Sequence, residues 1–125
     1  MPERARILVA EDNRCAQRLI EALLESLGYQ VDVRDTGRAT VEACLSGVYG
    51  AILMDGYMPE LDGFEAAREI RRLERGRRTP IMGLTATLKD SDRERCLAAG
   101  MDDCLSKPVS RKLLAATMAR WAPVS

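Results

Sequence analysis

"AILMDGYMPELDG", residues 51–63, decides how the rest of the chain is read. Four apolar residues run into Asp55 and stop, and a turn built on Gly56, Pro59 and Gly63 follows at once. A parallel strand covered on both faces reads as an unbroken apolar run. A buried strand has no use for a charge, so a carboxylate at its very end suggests a site. That suggestion gains force only if other strands end in complementary groups.

Four further runs qualify as strands: "RILVAE" (6–11), "QVDVR" (30–34), "PIMGLTA" (80–86) and "DCLSK" (103–107). Residues 6–11, 51–55 and 80–86 are nearly continuous apolar, as central strands should be, whereas 30–34 alternates and suits an edge. Helical patterns lie between the strands. Ala16, Leu19, Ile20, Leu23, Leu24 and Leu27 recur at helical spacing and stop at Gly28. A second helix over about 37–47 ends at Gly47, and a third begins near Gly63 with Phe64, Ala67 and Ile70 on one face. A fourth over about 89–99 stops at Gly100, and a fifth follows Pro108 with Leu113, Leu114, Met118 and Trp121. This alternation predicts an α/β fold with a parallel sheet and right-handed crossovers. No repeat, low-complexity segment or linker interrupts it, so residues 1–125 are expected to form one domain.

In a doubly wound sheet all parallel strands end on one rim, where ligands bind. Here the first strand ends in Glu11-Asp12, the third in Asp55, the fourth in Thr85-Ala86 and the fifth in Lys107-Pro108. Taken singly, Asp12 reads as a helix cap, Thr85 as a strand former and Lys107 as a surface charge. Their joint placement at four strand ends is not a chance pattern. Two unit charges about 4 Å apart repel by roughly 4 kcal/mol at an effective dielectric near 20. Three carboxylates sharing a pocket therefore need a cation or a proton, and Lys107 offsets only one of them. An all-oxygen site of this kind suits Mg²⁺, which keeps positions free for phosphate oxygens. With a carboxylate nucleophile, a hydroxyl and an ammonium beside it, the site holds the parts that phosphoryl transfer uses.

Composition narrows the field. The chain of 125 residues balances 19 Lys and Arg against 19 Asp and Glu, so no global field directs it to nucleic acid or a membrane surface. The basic run "RRLERGRR" (71–78) reads as a solvated helix end and loop rather than a docking patch. Histidine is absent, which excludes imidazole metal sites, Ser-His-Asp triads and a phosphohistidine on this chain. Cys15, Cys44, Cys96 and Cys104 lack zinc or disulfide-scaffold spacing and read as reduced thiols. No stretch reaches the roughly 18 apolar residues of a membrane span, and the N-terminus is no signal peptide, so a cytoplasmic domain is expected. Met54, Met58 and Met82 read as core or turn residues, and Trp121 as a packing or boundary residue.

The pieces "ILVAEDN" (7–13), "ILMDGYMPELDGFEAAREIR" (52–71), "PIMGLTA" (80–86) and "AAGMDDCLSKP" (98–108) closely resemble the receiver domain of two-component signalling, in the style of hybrid histidine kinases. The resemblance covers nearly the whole chain. It implies a flavodoxin-like doubly wound (βα)5 fold with five parallel strands in the order 2-1-3-4-5. It makes Asp55 the phosphoacceptor, attacking a phosphoryl group presented by a sensor histidine kinase or a histidine phosphotransfer domain. Glu11, Asp12, Asp55 and the backbone carbonyl of Tyr57 would hold Mg²⁺, Thr85 would hydrogen-bond a phosphoryl oxygen, and Lys107 would pair with another. The Lys107–Pro108 peptide would be cis. The added charge would bias a two-state surface around the fourth helix, fifth strand and fifth helix, through which a homodimer can form. Such a domain acts as an enzyme only upon itself, contacts neither nucleic acid nor membrane, and is either free-standing or excised from a longer kinase.

Three departures stand out. Cys104 occupies the place where receivers usually carry a rotating aromatic, so the usual switch is altered. Tyr57, two residues after the acceptor, is a phenol large enough to cover the acyl phosphate and hinder water. Thr87, the other position that tunes lifetime, is small, and hydrolysis is expected to lean slow. Gly56 loosens the backbone beside Asp55, to no evident purpose. Competing readings are a degenerate receiver that only binds a partner, and an Asp-nucleophile Mg²⁺ phosphatase. The first would lack part of the Asp55–Lys107 constellation; the second would place an acid where Tyr57 stands. A flavodoxin-like nucleotide binder would need a Gly-rich loop after the first strand, which is not there.

Overall fold

Strand and helix alternate five times along the chain. In the computed structural model, which describes residues 6–58, 60–76, 78–86 and 89–123, the elements begin with β1 (Arg6–Ala10), α1 (Arg14–Ser26), β2 (Gln30–Arg34) and α2 (Gly37–Ser46). They continue with β3 (Ala51–Asp55), α3 (Gly63–Leu73), β4 (Ile81–Thr85), α4 (Asp90–Ala98), β5 (Asp103–Ser106) and α5 (Arg111–Trp121). The strands form one parallel sheet in the order β2-β1-β3-β4-β5, the flavodoxin-like arrangement. The expected element ends shift by one residue. Glu11, Pro80, Ala86 and Lys107 lie just outside the strands, and Gly47, Lys89 and Ala99 just outside the helices. Glu11 and Lys107 nevertheless keep their backbones on the ladder, donating to the carbonyls of Arg34 and Thr85 at 3.0 and 2.7 Å.

Alternation along each strand builds two cores. Leu8, Ala10, Ile52, Met54 and Ile81 pack under α2, α3 and α4 with Phe64, Ala67 and Ile70. Ile7, Val9, Leu53, Met82, Leu84 and Leu105 pack under α1 and α5 with Ile20, Leu24, Leu114 and Met118. Each fully buried Leu or Ile contributes about 1.5–3 kcal/mol relative to exposure, which explains why the central runs are apolar on both faces.

Helix starts are capped by Asn13, Thr36, Asp62 and Ser110, whose side chains accept from the backbone N–H three residues on. The helix α4 is the exception. Its N-cap residue Lys89 offers no side-chain oxygen, so Asp92 accepts from the Lys89 N–H at 3.3 Å instead, and the helix buries only Cys96. Gly63 shows why the turn after Asp55 needs glycine: a Cβ there would sit 1.9 Å from the Asp55 carbonyl oxygen. The first turn of α3 thus abuts the end of β3 directly.

The basic run 71–78 corrects the sequence reading. Arg71 is not solvated; its side chain is 13% exposed and its guanidinium spans three elements. It donates to Gly100 O, Glu74, Thr79 O and Asp102 at 2.7–3.0 Å. The spacing along α3 turns this one arginine inward, towards the starts of β4 and β5. Trp121 is half-buried and donates its indole N–H to Asp103 at 3.1 Å. No helix among the described residues is long and apolar enough to cross a membrane.

Candidate functional site

The rim where the strands end gathers the predicted polar residues. Glu11 follows β1 and is fully buried; Asp12 beside it is exposed. Asp55 closes β3 and Thr85 closes β4, both buried. Lys107 follows β5 and enters the same pocket. Oxygens of Glu11, Asp12 and Asp55 lie within 4.8 Å of one another. The Lys107 ammonium lies 2.7 Å from Glu11 Oε1 and 3.0 Å from Asp55 Oδ2, bridging the two buried acids.

The loops hold these groups in place. The Asn13 N–H donates to Glu11 Oε2 at 3.0 Å, and the Gln17 amide donates to the Glu11 carbonyl from the first turns of α1. The Tyr57 N–H donates to Asp55 Oδ1 at 3.2 Å, so each Asp55 oxygen has its own partner. The Lys107–Pro108 peptide is cis. Tyr57 is exposed, with its hydroxyl accepting from Arg95 Nη1 at 2.7 Å. Thr87 lies outside the described residues.

Charge is unequal across this pocket. Burial pushes the Glu11 carboxyl above its ordinary range, the neighbouring Asp55 charge adds to this, and Lys107 and the Asn13 N–H only partly oppose it. Burial alone would depress the Lys107 ammonium, but Glu11 and Asp55 outweigh it and hold its pKa above the ordinary value. Glu11 Oε1 faces that ammonium yet has no aligned hydrogen-bond donor. Three carboxylates offering oxygens within 4.8 Å of one another, with one ammonium between two of them, fit a hard divalent cation such as Mg²⁺.

Cys104 is buried in β5, with its thiol beside that of Cys96; both are free. Burial, first, and then the neighbouring Cys104 push the Cys96 thiol up to about 12. Gly83 makes room for this group, because a Cβ there would meet Met101 Sδ at 2.8 Å and Cys96 Sγ at 2.9 Å. Residue 104 therefore sits beside the Cys96 sulfur, at the wall of a hollow of about 180 Å³. Sequence reading passed over Gln17 and Arg95, and took Phe64 only as part of the apolar face of α3. Gln17 and Arg95 reach the site across six and 38 residues of chain, a proximity that no local pattern signals. The purpose of Gly56 is also visible: a Cβ there would lie 2.6 Å from the Phe64 ring.

Known proteins share this fold. The chain is 37% identical over 116 residues to the sensor histidine kinase RcsC of Salmonella typhimurium, covering 93% of this chain and 12% of the kinase. The chain spans 6–16% of the length of curated histidine kinases that it matches. The receiver domain of a Pseudomonas aeruginosa sensor histidine kinase, crystallised with magnesium coordinated in its active site cleft, is 48% identical. It superposes with a TM-score of 0.87 over 94% of this chain and 97% of that one. The receiver domain of the Saccharomyces cerevisiae response regulator Ssk1, co-crystallised with the histidine phosphotransfer protein Ypd1, is 28% identical with a TM-score of 0.88, over 94% of this chain and 88% of that one. Residues 7–119 match the response regulator receiver domains from first strand to last helix, and the chain belongs to that family.

Proposed function

We propose that Asp55 accepts a phosphoryl group from the phosphohistidine of a sensor histidine kinase or histidine phosphotransfer partner, in a Mg²⁺-dependent reaction, and relays it as a conformational signal. The observation that carries this reading is the Lys107 ammonium held between Glu11 and Asp55, with Asp12 in the same oxygen cluster.

Each residue has a role in the transfer. An Asp55 oxygen attacks phosphorus in line, the P–N bond breaks, and its electron pair leaves with the imidazole. The Tyr57 N–H and Lys107 fix the carboxylate from either side, so little reorganisation precedes attack. Lys107 and the Thr85 hydroxyl would bind phosphoryl oxygens as charge builds there. Glu11, Asp12, Asp55 and the Tyr57 carbonyl would hold Mg²⁺, which supplies Lewis-acid neutralisation of the same oxygens. The domain acts in this way only upon itself.

A groove beside Lys107 supports delivery by a protein. Its volume is about 440 Å³, and Ala16, Leu19, Ile20, Pro108 and Val109 line it. An apolar helix face docking there would bring a histidine to the rim. The same support extends to output on the opposite flank. The α4–β5–α5 face exposes Leu97 beside a hollow of about 180 Å³ lined by Arg93, Asp103, Arg120 and Trp121, a surface of mixed charge suited to self-association.

The test is intact mass after incubation with Mg²⁺ and acetyl phosphate. Wild type gains one phosphoryl group, and Asp55→Asn gains none. Equal behaviour of the two proteins would remove Asp55 from the role.

A further inference from the structure

We infer that Cys96 and Cys104 form an oxidisable dithiol, a site where a hydroperoxide closes a disulfide that fastens α4 to β5. The phosphoryl site takes no part in it.

Two elements bring the thiols together. Cys96 lies on α4 and Cys104 on β5, and the chain reverses between them at Gly100, whose φ is +93°. Gly83 of β4 pairs with Cys104 in the sheet. A Cβ built on Gly83 would lie 2.9 Å from Cys96 Sγ and 3.8 Å from Cys104 Cβ. Both side chains therefore converge over a strand residue that has no side chain of its own. Their thiols meet there, and both are free. Cys96 is 1% exposed and Cys104 4%, which keeps bulky reagents away. A hollow of about 180 Å³ opens beside them, lined also by Arg93, Asp103, Arg120 and Trp121. It admits a molecule of two oxygens.

The consequence follows from how α4 is held. Cys96 is the buried residue of α4, and β5 is an edge strand. A covalent bond at that anchor replaces packing alone as the link between helix and sheet.

Burial, first, and then the neighbouring Cys104 push the Cys96 thiol up to about 12, so Cys104 makes the first attack. Its thiolate attacks one peroxide oxygen, the O–O bond breaks, and hydroxide leaves and takes up the thiol proton as water. Cys104 is then a neutral sulfenic acid, and the charge beside Cys96 is gone. The Cys96 sulfur attacks that of Cys104, the S–O bond breaks, and the hydroxyl leaves with the Cys96 proton as water. Two thiols lose two protons and two electrons, and peroxide becomes two waters.

The experiment treats the folded, reduced protein with hydrogen peroxide, quenches with catalase, and alkylates the remaining thiols in urea. Trypsin then releases residues 96–111 as one peptide that carries both cysteines. In wild type this peptide should be unalkylated and lighter by two hydrogens, and dithiothreitol should return both thiols. Cys96→Ala should stop at the Cys104 sulfenic acid, captured by dimedone, and Cys104→Ala should leave Cys96 a thiol. Amide hydrogen exchange across 90–98 in wild type should slow by roughly three- to ten-fold on oxidation and recover on reduction. Thermal melts confirm that each variant is folded, and the wild-type peptide decides the matter without them. A 96–111 peptide that stays fully alkylated after peroxide, ends as a sulfinic acid, or closes only in unfolded protein overturns the inference. So does exchange in α4 that is the same with and without the disulfide.

Discussion

Two charged clusters occupy opposite edges of the same sheet and are built from the same kinds of residue. At the edge where the strands begin, Arg71 is met by Glu74, Asp102 and two carbonyls, and Asp102 also accepts from the Ile81 N–H and from Arg78. At the edge where they end, three carboxylates cluster, and the one ammonium bridges Glu11 and Asp55 while Asp12 lies in the same oxygen set. A matched cluster fixes architecture. A cluster with surplus negative charge instead stores repulsion that only a cation or a proton relieves. The difference separates a structural ion network from a site that waits for a ligand.

The contrast predicts opposite responses to removing one charge. Arg71→Ala removes the buried cation that Glu74 and Asp102 share, leaving Asp102 with the exposed Arg78, and should cost about 3 kcal/mol of stability in urea unfolding, without changing Mg²⁺ affinity. A loss near zero would mean that the matched edge is not structural. Asp12→Asn relieves repulsion and should raise stability in EDTA by about 1 kcal/mol, while abolishing the stabilisation that Mg²⁺ gives wild type. An Asp12→Asn protein less stable than wild type in EDTA would contradict the surplus-charge account.

Asp32 offers a third, smaller case. Burial would raise its pKa, but hydrogen bonds from the Tyr49 hydroxyl and Arg6, with the Arg6 charge, outweigh it and hold the carboxyl below its ordinary value. A depressed folded-state pKa gives stability that is present above the unfolded value near 3.8 and lost as pH falls through the folded one. Asp32→Asn should therefore flatten the acid limb of the stability curve, by about 0.5 kcal/mol for so open a pair. An unchanged limb would show the pair to be silent. The smallest effect concerns the thiols. Exposed Cys15 should react with an aromatic disulfide reagent in the native state, while Cys96, pushed up to about 12, should react only on unfolding. Native-state labelling of Cys96 would mean that the sulfur pocket opens.

Why the rim was readable and the opposite edge was not follows from how each is encoded. Strand-ending residues announce themselves because a polar group interrupts an apolar run, and parallel topology sends all such interruptions to one rim. Asp55, Glu11 and Lys107 were visible for that reason. Arg71 looks like its neighbours in "RRLERGRR", and its partner Asp102 is 31 residues away. Only the turn of α3 over β4 and β5 selects which arginine faces inward. Gly56 and Phe64 illustrate the same limit. Each is ordinary in sequence, and their meaning is a contact between a ring and a backbone. Cys104 was noticed as a departure from the family, but its pairing with Cys96 across β5 and α4 depends on packing that Gly83 permits.

The central claim is that the surplus-charge rim exists so that one carboxylate can accept phosphorus. Its most direct test is to trap the loaded state with borohydride, which reduces an aspartyl phosphate to homoserine, and to sequence the peptides by mass spectrometry. The account predicts homoserine at residue 55, formed only when Mg²⁺ and a phosphodonor are both present. Homoserine at another aspartate, or at residue 55 without Mg²⁺, would contradict it.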